Sequence, residues 1–252
     1  MKAAAAWFEE ALGYACRDAA LLEAALTHRS AGGPHNERLE FLGDAVLNCV
    51  VARLVFREFA AADEGDLSRF RASLVSGEAL AVIALEIDLG QYVRLGSGEL
   101  KSGGFRRKSI LADALEALFG AVYLDGGFDA AERVIERLFI PRLDRLPSAA
   151  ELKDPKTRLQ EAVQAKGLPL PGYTVESISG EAHNQVFQVS CSVDALGLRA
   201  VGVGPSRRRA EQAAASEVLS ALPKASVRSP PVQEAPVQPG SPEINSSDTT
   251  SS

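Results

Sequence analysis

The stretch NERLEFLGDA, residues 36–45, sets Glu37, Glu40 and Asp44 into a segment that otherwise carries the residues of a protein core. On a helix, where each residue advances about 100°, the three acids fall within roughly 60° of one another. Leu39, Leu42 and Val46 gather on the opposite side. Like charges on one stripe repel by roughly a few tenths of a kcal/mol per i,i+4-type pair, so a solvated face is the ordinary explanation. The continuation LNCVVARLVF argues against it, having almost no polar residue from which to build a wet face. Leu39, Phe41, Leu42, Val46, Leu47, Val50, Val51, Leu54, Val55 and Phe56 lie nearly all round this helix. A surface helix needs one apolar stripe, so this one is expected to be covered on several sides. The cover is either its own domain or a second copy of the chain across a two-fold axis.

A second acidic pair occurs downstream in SILADALEALFGAVYLDGG. Asp113 and Glu116 are three apart and share a helical face, with Leu111, Leu115, Leu118 and Val122 on the other side. If both helices turn their acids into one pocket, the carboxylates cannot all stay ionised without raised pKa values or a cation. A hard divalent ion with oxygen ligands answers that need, and Mg²⁺ suits a few carboxylates plus waters. A di-iron bundle is the competing metal site, but it uses Glu-x-x-His motifs. None of His28, His35 and His183 follows a Glu by three.

The chain has 252 residues, 46% hydrophobic and 24% charged, enough for one large or two ordinary globular domains. A net charge of −6 speaks against a simple phosphate binder. The balance is uneven, however. Residues 1–150 carry 17 Lys and Arg against 22 Asp and Glu, a net of −5, whereas residues 151–224 carry 9 against 8, a net of +1. Cys16, Cys49 and Cys191 show no C-x-x-C spacing, which predicts buried thiols in a reducing compartment without disulfides or zinc. Glu9 and Glu10 interrupt the apolar start before a signal-peptide core forms, and no run of about 18 apolar residues could span a membrane. The expected location is cytoplasmic.

Helical periodicity is predicted over 3–14, 18–26, 36–60, 66–85, 107–124 and 128–143, with no convincing strand, giving an all-α first domain. A linker is expected over 141–153. From 154 to 223 the order changes to α-β-β-β-α. Asp154 and Pro155 open a helix that Gly167 closes. Strands follow over 173–179, 186–193 and 198–203, the second alternating Phe187, Val189, Cys191 and Val193 with polar residues. A helix over SRRRAEQAAASEVLSAL completes a small α+β domain, with Ala210, Ala213 and Ala214 as a slim face for the sheet. Residues 224–252, without an aromatic residue and rich in Pro and Ser, are expected to be a disordered tail.

Together, NERLEFLGDA, LTHRSA (26–31), EGDLSRFRASLVS (64–76) and the segment 98–127 resemble the ribonuclease III family. The likeness covers about 220 of the 252 residues. It implies a catalytic domain over 3–126, with helical packing to about 145, and an endoribonuclease that hydrolyses double-stranded RNA with Mg²⁺, or Mn²⁺ in its place. It further implies 5′-phosphate and 3′-hydroxyl ends with short 3′ overhangs, work on ribosomal, messenger and transfer RNA precursors, and a homodimer. By the same resemblance Asp44 and Glu116 are catalytic, Glu40, Asp113 and Glu116 hold metal, and Glu37 and Glu64 are further acids near the site. Thr27, His28, Arg29 and Ser30 match the pattern too, though local hydrogen bonding explains them as well. Gly103, Gly104, Arg106, Arg107 and Lys108 form a basic loop suited to phosphate or to solvent.

The closing helix starts with Arg207, Arg208 and Arg209, at the end where the helix dipole disfavours cations by roughly 0.3–1 kcal/mol each. A bound phosphate would offset that. The stretch resembles a double-stranded-RNA-binding domain, and the resemblance adds Thr157, Gln160, Glu161 and Gln164 on the first helix and His183 between strands. Such a domain reads 2′-hydroxyls and phosphates over about 16 bp.

Overall fold

The computed structural model describes residues 2–181 and 184–222. The tail over 224–252 and His183 lie outside the described residues.

Short polar caps set the starts of the first helices. After α1 (Lys2–Leu12), Asp18 opens α2 (Ala19–Ala25) by accepting from the backbone N–H of Ala20 and Leu21. Helix α3 (Glu37–Glu58) begins at Asn36, whose own N–H donates to the Thr27 carbonyl at 2.9 Å. The helix expected over 66–85 is two helices, α4 (Glu64–Leu74) and α5 (Gly77–Glu86). Ser76 divides them, its hydroxyl accepting from Ala79 N–H at 3.3 Å as a new N-cap. A helical period alone does not reveal such a break, because apolar spacing runs through it. Then come α6 (Ser97–Lys101), α7 (Lys108–Gly126) and α8 (Phe128–Leu143). Helix α8 carries Pro141 in its last turn and so enters the segment expected to be linker. A further turn, α9 (Ala149–Leu152), is opened by a capping box between Ser148 and Glu151. It packs on α4, with Leu146, Ala149 and Leu152 against the helical core. The expected linker is therefore largely helical, because its apolar residues find cover.

Helices α3 and α7 form the centre of this core. A Cβ added to Gly43 would stand 1.8 Å from the Glu116 carbonyl oxygen, and one on Gly120 would stand 2.2 Å from that of Leu39. The two helices therefore cross backbone against backbone, which only glycine at both positions permits. Around the crossing Val46, Leu47, Val50, Val51 and Leu54 pack with Leu111, Leu115, Leu118 and Phe119. One stripe of α3 is left uncovered: Phe41 is 81% and Phe56 71% exposed, with Ala45 and Cys49 exposed between them. The expectation of buried thiols thus fails for Cys49 and in part for Cys16, which is half-buried; Cys191 is buried. Cys49 sits on the face of an apolar helix that the other described residues do not cover.

The second unit begins with α10 (Pro155–Gln164). Strands β1 (Gly172–Ser179), β2 (Val186–Val193) and β3 (Leu198–Gly204) form an antiparallel sheet in that order, with a bulge between Val175 and Ser177. Val189, Cys191 and Val193 face inward as their alternation predicts. Helix α11 (Arg207–Ala221) packs on β2, β3 and α10. Its fully buried alanines are Ala210, Ala214 and Ala215, while Ala213 is half-buried, so the slim face is turned slightly from the expected one.

Candidate active site and nucleic-acid interface

The glycine crossing decides where the acids go. Glu40 and Asp44 flank Gly43 on α3, while Asp113 and Glu116 precede Gly120 on α7, so the close approach brings both acidic faces together. Carboxylate oxygens of Glu40, Asp113 and Glu116 all lie within 4.8 Å of one another, and all three residues are half-buried. Burial, then the charges of Asp44, Glu40 and Asp113, push the Glu116 carboxyl up to about 8. Burial and then Asp113, Glu37 and Asp44 raise Glu40, against the pull of Arg29. Burial also raises Asp113, opposed by His28 and Arg29. This all-oxygen donor set, strained by its own repulsion, fits a hard divalent cation.

The other predicted acids are placed differently. Asp44 is exposed, and its carboxylate accepts from the Asn48 amide at 2.8 Å rather than joining the three. Glu37 is exposed at the start of α3, pairs with Arg29 at 3.3 Å, and lines a cavity of about 820 Å³ beside the cluster. Glu64 is not brought to the cluster within one chain. Helix α4 meets the far half of α3, so Glu64 lies by Ala52, Val55 and Phe56, and its carboxylate accepts from the Ser68 hydroxyl at 3.1 Å. Residue 52 is about 18 Å along the helix from residue 40.

Basic and polar groups line the same cavity as these acids: His28, Arg29, Ser30, Arg107 and Ser109 share it with Glu37, Glu40, Glu99 and Asp113. Local bonds hold these groups. The Ser30 hydroxyl sits 2.8 Å from His28 Nδ1 and accepts from Gly96 N–H, and Thr27 donates to the Glu23 carbonyl at 2.7 Å. Arg107 pairs with Glu99 at 2.8 Å. Gly43 and Gly120, which bring the acids together, were not singled out from sequence. The signal was a glycine on each of two largely apolar helices, next to the acids.

In the second unit, Thr157, Gln160, Glu161 and Gln164 all lie exposed on one face of α10, opposite the buried Leu159 and Val163. Lys153 Nζ neutralises Glu161 at 2.9 Å. Arg207, Arg208 and Arg209 are exposed at the start of α11. Two acids tie the starts of α10 and α11 together. Buried Glu211 accepts from Lys156 Nζ at 2.5 Å and Arg207 Nε at 2.8 Å, and Asp154 accepts from the Gln212 amide at 2.6 Å. Burial alone would raise the Glu211 carboxyl, but its two cations hold it below the usual range.

A helical domain with a carboxylate centre, followed by a three-stranded module with a cationic helix start, defines a nuclease domain joined to an RNA-binding one. Residues 18–143 match the Ribonuclease-III-like family, and residues 155–222 match the double-stranded RNA binding motif. The chain is 56% identical over 216 residues to Ribonuclease 3 of Aromatoleum aromaticum, covering 86% of this chain and 96% of that one. To Ribonuclease 3 of Vibrio cholerae it is 54% identical over 211 residues, 84% of this chain and 94% of the relative. Among solved structures, the nuclease domain of ribonuclease III from Campylobacter jejuni superposes with a TM-score of 0.53 at 44% identity, covering 55% of this chain and 97% of that one. The chain belongs to the ribonuclease III family. It is an endoribonuclease of that type, with a double-stranded-RNA-binding domain after its nuclease domain.

Proposed function

We propose that Glu40, Asp113 and Glu116 hold a divalent cation, Mg²⁺ with Mn²⁺ as a substitute, and that Asp44 and Glu116 act on the phosphodiester bonds of duplex RNA. The convergence of three half-buried carboxylates beside an open cavity carries this reading. When bound, such an ion supplies Lewis-acid polarisation and a water of lowered pKa. The chain's own residues do the rest. Burial and the neighbouring acids raise the Glu116 carboxyl to about 8, so it is the ligand whose ionisation a bound cation would favour most. Arg29 and Arg107 line the cavity with the acids and offset part of the negative charge that an RNA strand would meet there. The products are 5′-phosphate and 3′-hydroxyl ends with short 3′ overhangs, on ribosomal, messenger and transfer RNA precursors in the cytoplasm. No helix among the described residues is long and apolar enough to cross a membrane. A silent duplex-RNA binder would have no need of the carboxylate convergence. Chelating divalent ions is expected to stop cleavage of a long RNA duplex, and low-millimolar Mg²⁺ to restore it. Unabated cleavage after chelation would contradict the assignment.

Within the RNA-binding unit, taken as 154–223, the exposed face of α10 and the arginines of α11 meet the duplex, with His183 as a further contact. Changing Arg207, Arg208 and Arg209 together to Ala should weaken duplex binding. It should also flatten the slope of log affinity against log salt by roughly two to three, since each lost phosphate contact releases one counterion fewer. An unchanged slope would leave the cluster as surface charge.

The uncovered stripe of Phe41, Ala45, Cys49 and Phe56 supports a homodimer through α3. The Campylobacter jejuni nuclease domain is described as structurally flexible in a region involved in its dimer formation. Two centres on a two-fold axis would also let one encounter cut both strands. Light scattering on active protein should return about twice the 26.7 kDa of the chain, and a mass near 26.7 kDa would refute it.

A further inference from the structure

Asn36 stands just before α3 in a position where asparagine ordinarily caps a helix, yet its side chain makes no capping bond. Its main chain is fully engaged. The N–H donates to the Thr27 carbonyl at 2.9 Å, and the carbonyl accepts from Glu40 N–H at 2.8 Å. The residue is 2% exposed, and its Nδ2 has no hydrogen-bond partner among the described residues. A buried donor left unpaired destabilises a fold, and its persistence calls for a recipient. Asn36 lines the cavity that also holds Glu37, Glu40 and Asp113.

We infer that the Asn36 amide, whose Nδ2 is buried in the free chain, turns that group into the cavity when RNA binds and donates to a non-bridging phosphate oxygen of the bound strand, an inference that rests on the proposed function. The chemistry of the alternatives is what selects this recipient. The carboxylates of the cavity accept, but each belongs to the cation cluster or to an ion pair with Arg29 or Arg107. A water on a divalent cation turns its hydrogens outward and needs acceptors, so an N–H donor does not suit it. A phosphate oxygen only accepts, and it enters a site crowded with negative groups. There a neutral donor is useful, because it adds no charge that would compete with the cation for the carboxylates. Asn36 is one helical turn from Glu40, so the contact is built into the same turn that carries a metal-binding acid.

The test uses the full chain, with Asn36→Leu and Asn36→Ala beside wild type, on a short RNA duplex with one cleavage site. A second duplex carries sulfur, a poor acceptor, in place of one non-bridging oxygen at the scissile phosphate, each stereoisomer being tried. Both variants are expected to cleave the ordinary duplex on the order of 10- to 100-fold more slowly, the size of a lost charge-assisted hydrogen bond. They should melt no lower than wild type, since an orphan donor has been removed, and keep the same Mg²⁺-induced rise in melting temperature. For one stereoisomer the penalty of sulfur should be smaller in the variants than in wild type. Wild-type cleavage rates in both variants would overturn the inference while leaving the proposed function intact. A diminished Mg²⁺-induced rise, or equal sulfur penalties, would overturn it in favour of metal support or packing. Wild-type protein that cleaves no duplex would overturn the functional reading, and this inference with it.

Discussion

Replacing Gly43 with alanine is expected to abolish RNA cleavage and to lower the melting temperature of the nuclease domain. The added Cβ would fall 1.8 Å from a main-chain oxygen of α7, which cannot rotate out of the way as a side chain can. The helices must therefore separate, and overpacking of this kind costs about 3 kcal/mol or more. A shift of roughly 10 °C follows for a domain of this size. Separation also pulls Glu40 from Asp113 and Glu116, so the Mg²⁺-induced rise in melting temperature should vanish with activity. Gly77→Ala is the control, because a Cβ there meets nothing within 4 Å and Gly77 opens a helix away from the acids. Full activity in Gly43→Ala would mean that the crossing does not set the site.

Replacing Glu116 with glutamine should reduce hydrolysis by about a thousandfold or more, since a group that bears on the reacting centre is removed. Duplex binding should stay measurable, because the faces of α10 and α11 are untouched. Near-normal cleavage at low-millimolar Mg²⁺ would remove Glu116 from the site. The same substitution has a signature in metal-free protein. The Glu116 carboxyl lies at about 8 in the fold against 4.5 unfolded, so the native state holds the extra proton between those values. Its contribution to stability is present below about pH 4.5 and is lost as pH rises through about 8. Wild-type melting temperature without metal should decline across that window more than that of Glu116→Gln. Mg²⁺ should stabilise wild type more at the alkaline end, where no proton need leave.

Much of this was legible in the chain because it depends on period and residue type. The stripes on α3 and α7, the start of α10 at Asp154–Pro155 and the alternation in β2 follow from spacing alone. That α3 is apolar nearly all round was legible too, but not that its own domain would leave Phe41 and Phe56 uncovered. What was not legible depends on contacts between distant segments. The Ser76 break was hidden because apolar spacing continues across it. Glu64 was grouped with the other acids, but its position depends on which half of α3 receives α4. Gly43 and Gly120 carry no chemistry of their own, and a glycine beside the acids on each helix hints at a close approach without saying which helices meet. Asn36 was not singled out either, because an unpaired side-chain donor shows only once its surroundings are in place.

The clamp between Lys156, Glu211 and Arg207 bears on how the RNA-binding unit meets its ligand. Long cationic side chains have much rotamer freedom to lose, and ordering one on binding costs about 0.5–1.5 kcal/mol. Here the ordering of Lys156 and Arg207 has already happened during folding, against a carboxylate that its two cations keep ionised below the usual range. A duplex that docks at the start of α11 as proposed would find these two cations already held by Glu211 and would have only to share Arg207 with it. The entropy of recognition has been moved from the moment of binding into the stability of the fold, so the unit should bind with a smaller entropic penalty than its flexible residues suggest.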